Sequence, residues 1–138
     1  MKFLINSLNN VINEKEYVKG IEDVKSSKIS SCIVIIGLNT ERKINAAHLL
    51  ITDTCANLQV VLDDLTELFS GCSNIVVIGQ LDFWGEDILY QIYSSIGVTG
   101  EFNRSEGEYI VSANVSSDSL EVYVDDETVT FKEISGEC

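Results

Sequence analysis

The chain contains no proline, one histidine, one tryptophan and only nine Lys and Arg among 138 residues. Each scarcity excludes something. Without proline, no linker is punctuated by it. One histidine is too few for a usual zinc site, and none of the four cysteines (Cys32, Cys55, Cys72, Cys138) stands in a C-x-x-C pair. That cysteine density does not suggest a disulfide framework, and Cys55 and Cys72 are expected to be buried thiols. Few basic residues leave no footprint for nucleic acid or an anionic membrane, since phosphate binding needs clustered Lys and Arg. No apolar run approaches the roughly 20 residues of a membrane span. Residues 1–11 carry one lysine, and Asn6, Ser7, Asn9 and Asn10 interrupt their apolar residues, so no signal peptide is expected. The expected compartment is the cytosol, with secretion by a leaderless route as the alternative.

What is present suits one folded domain spanning 1–138, with 45% hydrophobic and 22% charged residues. The net charge of −13 is uneven. Residues 1–43 hold seven Lys/Arg against five Asp/Glu, whereas residues 44–138 hold two against seventeen. Such a surface is well solvated and would favour a basic protein partner.

The apolar pattern implies the elements. Residues 3–5 and 11–12 form a short apolar start of either type. Tyr17–Val18 gives a weak strand signal before Gly20. Ile29 to Leu38 is nearly continuous and β-branched toward its end, as expected of a strand buried on both faces. After a polar turn at 39–43, Ile44 to Thr52 reads as a neighbouring strand. Asp53 and Thr54 can cap a helix carrying Leu58, Val61, Leu62, Leu65, Leu68 and Phe69 on one face, with Gly71 as its stop. Asn74 to Gly79 is a buried strand, 80–84 a loop, and Gly85 to Ile96 a second helix stopped by Gly97. Beyond Val98 the period becomes two, with Ser117–Asp118 and Asp125–Asp126 as turns between antiparallel strands. The expected fold class is α+β: a two-layer or three-layer sandwich of mixed β-sheet with two main helices.

Chemistry concentrates in residues 26–48. Cys32 follows Ser30 and Ser31 at the mouth of one strand, and His48 lies in the next, so pairing could set thiol and imidazole side by side. An imidazole can take the thiol proton and later protonate a leaving group. Small residues before Cys32 would admit a substrate carbonyl, and backbone N–H groups there could hold an oxyanion. The group that orients the imidazole is Ser26 or Thr52, by hydroxyl, or a backbone carbonyl. Gln80, at a strand end, is a further candidate. Asp82, Glu86 and Asp87 suit a solvated helix start, and Trp84 is read as core.

Ser26, Ser30–Ser31–Cys32 and Ala47–His48–Leu49–Leu50–Ile51 resemble the motif of the chemoreceptor glutamine deamidases of bacterial chemotaxis (CheD). That family shares its catalytic fold with cytotoxic necrotizing factor and Burkholderia lethal factor. There, a small-residue–Cys motif leads a strand, a histidine follows as A-H-x-x-L, and a threonine six residues before the cysteine completes the site. Residues 103–107 (N-R-S-E-G) fall where the family carries a Gly- and Arg-containing turn, and the resemblance covers about 24–134. It implies a CheD/CNF deamidase-like fold and a protein-glutamine glutaminase needing no cofactor. Cys32 would attack the side-chain carboxamide, His48 would act as base and acid, and Ser26 would hold the imidazole tautomer. Ser30, Ser31 and Gln80 would border the oxyanion and substrate. The alternative function is an acidic, non-enzymatic binding or immunity-type protein neutralising a basic partner.

Overall fold

The computed structural model describes residues 1–104 and 107–134. Two apolar strands lie at its centre. β5 (Ile33–Leu38) and β6 (Ile44–Leu49) are buried at every position and pair antiparallel from Ile33↔Leu49 to Leu38↔Ile44. The turn between them is held by Asn39, whose side-chain oxygen accepts the N–H groups of Glu41 and Lys43, as turn asparagines do. β7 (Ser73–Gly79) pairs antiparallel with the other edge of β5, and β8 (Gly100–Asn103) runs parallel to β7. The parallel connection crosses over through α3 (Leu81–Trp84) and α4 (Glu86–Ile96), as a parallel pair requires.

With β1 (Ile5–Asn6), β3 (Glu16–Ile21) and β12 (Lys132–Glu133) these strands form a seven-stranded sheet in the order β1-β3-β6-β5-β7-β8-β12. A second sheet contains β2 (Val11–Ile12), β4 (Asp23–Ser26), β9 (Val111–Ser116), β10 (Ser119–Val124) and β11 (Glu127–Thr128), ordered β11-β10-β9-β4-β2. The period of two along β5 divides the apolar residues between two cores. Ile33 and Ile35 face Val61, Leu65 and Leu68 of α2 (Leu58–Leu68) and Leu89 and Ile92 of α4. Val34 and Ile36 face Val111, Ala113 and Val122 of the second sheet. Helices, large sheet and small sheet therefore stack as three layers in a mixed α+β fold. Each fully buried Ile or Leu contributes about 1.5–3 kcal/mol, so the central sheet carries much of the stability.

Several expectations change. The apolar start resolves into β1, which pairs with β3, and β2, which pairs with β4 from the mixed stretch before Lys28. Asp64, buried on α2, accepts the backbone N–H groups of Lys2, Phe3 and Leu4 at 2.8–3.1 Å. Burial alone would raise its carboxyl pKa, but those three donors outweigh it and hold it below the usual range. The helix expected from Asp53 is two helices, α1 (Ile51–Ala56) and α2, because Asn57 leaves helical geometry at φ −133°. Leu50 stands at the first N-cap and makes no side-chain cap bond. β6 ends at Leu49, not Thr52, and residues 81–84 are helical where a loop was expected. Cys55, on α1, is exposed, and Cys72, between α2 and β7, is half-buried against the helix-side core. Cys138, and Ser105 and Glu106 of the N-R-S-E-G stretch, lie outside the described residues. Gly97 does end α4, in the left-handed region at φ 76°. Ser117–Asp118 and Asp125–Asp126 all have positive φ and form the two-residue turns between β9, β10 and β11.

Candidate functional site

The strand ladder places Cys32 and His48 on one face. Val34 stands opposite His48 in the β5–β6 pair, and Cys32 lies two positions before Val34, facing the second sheet with it. Cys32 itself precedes the paired ladder, and the described residues show no hydrogen bond between its thiol and the imidazole: the thiol bonds to Glu14 and His48 Nε2 has no partner. His48 is fully buried. Its Nδ1 lies 3.1 Å from the carbonyl oxygen of Ile12 in β2. A carbonyl only accepts, so Nδ1 carries the proton and Nε2 keeps its lone pair. That Nε2 is buried and has no hydrogen-bond partner among the described residues. Burial lowers the imidazole pKa, against the opposing pull of the Ile12 carbonyl and the negative charges of Glu14 and Glu16, so the ring stays neutral.

Cys32 is 3% exposed, where an opening to solvent was expected. The Cys32 thiol donates to a carboxylate oxygen of Glu14 at 3.7 Å, and Glu14 itself is exposed. Burial, then the Glu14 charge and this hydrogen bond, push the thiol up to about 12, so in this arrangement it remains protonated. Glu14 rides on a tight turn. The Glu16 N–H donates to the Asn13 carbonyl, the Asn13 N–H donates to the Glu16 side chain, and Lys15 adopts φ 73°. The Lys15 N–H also donates to the carbonyl of His48 at 2.9 Å. One short stretch, residues 12–16, thus touches both the thiol and the histidine.

The other expected residues are distributed as follows. Ser26 is buried on β4, beside Ile12 in the β2–β4 register, and its hydroxyl accepts the Val111 N–H at 3.0 Å. The Nδ1 contact expected of Ser26 is made by the Ile12 carbonyl, one strand away. Thr52 is exposed on α1. Ser30 is exposed and Ser31 half-buried in the approach to Cys32. The Ser31 carbonyl accepts the indole N–H of Trp84 at 2.6 Å. Because the peptide is trans and planar, the Cys32 N–H points to the opposite side from that indole. Trp84 is buried in the helix-side core, as read from sequence. Gln80 is half-buried just past Gly79, which pairs with Ile33, so it lies at the Cys32 end of the sheet.

Tyr109 joins the site without having been anticipated. It exchanges two backbone hydrogen bonds with Ile29, three residues before Cys32. Its hydroxyl is buried without a partner among the described residues. The Arg104 guanidinium lies 4.7 Å from its ring centroid. Burial pushes the phenol up to about 12, with Arg104 opposing and Cys32 adding to the shift. The described residues bring together no group of three or more His, Cys, Asp and Glu side chains that could hold a metal ion. A cleft of about 390 Å³ between the sheets, lined by Asn74, Val76, Leu120, Val122 and Phe131, opens at the far end of β7 from Gly79 and is not lined by Cys32 or His48.

No protein-family model, no curated protein and no solved structure matches this chain.

Proposed function

We propose that this protein is a thiol-dependent protein glutamine deamidase, held at rest in a closed form. The observation that carries the proposal is the state of His48. Its Nδ1 proton is committed to the Ile12 carbonyl, and the Nε2 lone pair is unspent on the face it shares with Cys32. A buried imidazole with an unused acceptor loses hydrogen-bond energy of about 1–3 kcal/mol unless a proton donor reaches it. A thiol entering that position supplies one. In the reaction, His48 Nε2 takes the Cys32 proton as the sulfur attacks the side-chain carbonyl carbon of a glutamine. His48 then protonates departing ammonia. Water, deprotonated by the same nitrogen, cleaves the thioester to leave glutamate and the free thiol. The Cys32 N–H is the candidate oxyanion donor, with Ser30, Ser31 and Gln80 bordering the substrate. The resemblance of the Ser26/Cys32/His48 spacing to CheD names the substrate class, a glutamine side chain on a target protein.

The burial of the sulfur and the seventeen acidic residues beyond position 43 favour a second possibility: the same fold as an acidic binding protein without chemistry. Mass spectrometry of a glutamine-rich protein digest incubated with the enzyme separates the two. The deamidase predicts glutamine-to-glutamate conversion that falls by a factor on the order of 10² or more in Cys32→Ala and in His48→Ala. Conversion that survives Cys32→Ala would refute the assignment. Salt-sensitive capture of a basic partner, equal in both variants and without conversion, would establish the binding protein.

A further inference from the structure

The thiol is already in contact with a side chain of the kind the proposed reaction produces. Deamidation leaves a glutamate carboxylate beside the nucleophilic sulfur, and Glu14 presents a glutamate carboxylate to Cys32 at 3.7 Å. We infer that Glu14 occupies the subsite for the glutamine carboxamide, as an intramolecular mimic of the product. The inference rests on the deamidase proposal and adds the location of its substrate side chain.

Glu14 could instead be a permanent member of the catalytic machinery, and three observations weigh against that. A carboxylate that orients a catalytic imidazole sits on Nδ1, and the Ile12 carbonyl holds that place. A carboxylate that activates a thiol should ease its ionisation, whereas this anion opposes formation of a second negative charge next to it. Finally, Glu14 is an exposed residue on a surface turn, so its side chain reaches the sulfur from the solvent side, as a substrate would. The backbone of the turn and its side chain have separable roles. The Ile12 carbonyl and the Lys15 N–H bind His48 through the main chain. Rotating the Glu14 side chain outward would therefore clear the subsite and leave the imidazole tautomer intact. An incoming glutamine displaces that carboxylate, and its neutral amide meets the thiol without the charge that adds to burial in keeping it protonated.

Two substitutions test this. In Glu14→Gln the introduced carboxamide lies against the sulfur of its own chain. Cys32 attacks its carbonyl carbon as the thiol proton passes to His48. The C–N bond breaks and ammonia leaves with that proton, after which water adds and the C–S bond breaks. One amide and one water become one carboxylic acid and one ammonia, and no other reactant is needed. Fragment spectra of the peptide covering residues 3–15 should show position 14 converted to the acid with Cys32 present, and unconverted when Cys32→Ala is combined with Glu14→Gln. In Glu14→Ala the sulfur loses the carboxylate it bonds to, and both iodoacetamide labelling of Cys32 at pH 8 and conversion of an added glutamine peptide should rise by about tenfold, the effect of removing one adjacent charge. If Glu14→Gln converts added peptide while its own position 14 stays an amide, Glu14 is not in the subsite, and the deamidase stands without this inference. If wild type, Glu14→Ala and Glu14→Gln all leave every glutamine intact, the deamidase proposal falls and takes the inference with it.

Discussion

Alkylation of Cys32 as a function of pH measures whether the thiol is masked at rest. The thiol is pushed from 9.0 to about 12, first by burial and then by the Glu14 carboxylate. At pH 8 that cuts the thiolate present by about a thousandfold relative to the unfolded chain. A more basic thiolate is also a better nucleophile, with a Brønsted coefficient of about 0.4–0.5, which returns a factor of roughly 20–30. The net expectation is that iodoacetamide labels Cys32 at least about 30-fold more slowly in the folded protein than in urea, before any steric shielding is counted. Site-resolved peptide mass spectrometry reads the rate, with exposed Cys55 confirming in each sample that the reagent is active. The folded rate should climb about tenfold per pH unit up to about 12. A half-maximal rate at or below pH 9, or labelling as fast as in urea, would refute the masking. The same shift has a stability consequence. A pKa raised on folding contributes stability that is complete below the unfolded value and lost as pH climbs through the folded one, so alkaline unfolding should begin above about pH 9.

Further outcomes follow from other contacts. Ser26→Ala strands the buried Val111 N–H, so it should cost about 1–3 kcal/mol in thermal or urea unfolding. Because Ile12 holds the imidazole, the 15N shifts of His48 should keep the same tautomer, and a changed tautomer would return the orienting role to Ser26. The His48 pKa is lowered in the fold, chiefly by burial, so the stability of the neutral buried ring is complete above 6.5 and declines as pH falls below that value. Urea midpoints at pH 7.5 and 5 should differ in wild type and less so in His48→Gln; an equal difference in both would place the acid sensitivity elsewhere. A Cβ at Gly79 would meet the Cys32 carbonyl oxygen at 2.6 Å and an Ile33 methyl at 2.7 Å, so Gly79→Ala should lower stability by about 1–3 kcal/mol and alter Cys32 labelling. Wild-type melting and labelling in that variant would contradict the close packing of β7 on the start of β5.

How far the sequence disclosed all this varied with how locally each feature is encoded. β5 and β6 were visible because burial on both faces writes itself as an unbroken apolar run. The turns at 117–118 and 125–126 were visible because Asp and Ser tolerate positive φ at the hairpin tip. β1 and β2 are two residues each and β4 carries one apolar residue in four, so no periodicity could develop over them. Their pairing is set by distant strands. The break at Asn57 was hidden because the apolar pattern continues through α2 without a glycine or proline to mark a boundary. Within the candidate site, residue type alone singled out Cys32 and His48. The Ile12 carbonyl had no such signature, since every residue has a carbonyl and only the fold decides which one meets the imidazole. Glu14 read as one acidic residue in a polar stretch, and its position over the sulfur depends on the turn that carries it.

The opening 26 residues change sheets at every strand: β1 borders the large one, β2 the small one, and β3 and β4 repeat the alternation. They lace the two layers together, and the lace crosses at Ile12, whose oxygen reaches a histidine 36 positions onward. Contacts of such long range are late and slow to assemble. A nascent or partly melted molecule in which β5 and β6 have already paired would still lack its lacing, and with it the proton arrangement on the imidazole. Completion of the fold and the fixing of the imidazole proton on Nδ1 would then be one event.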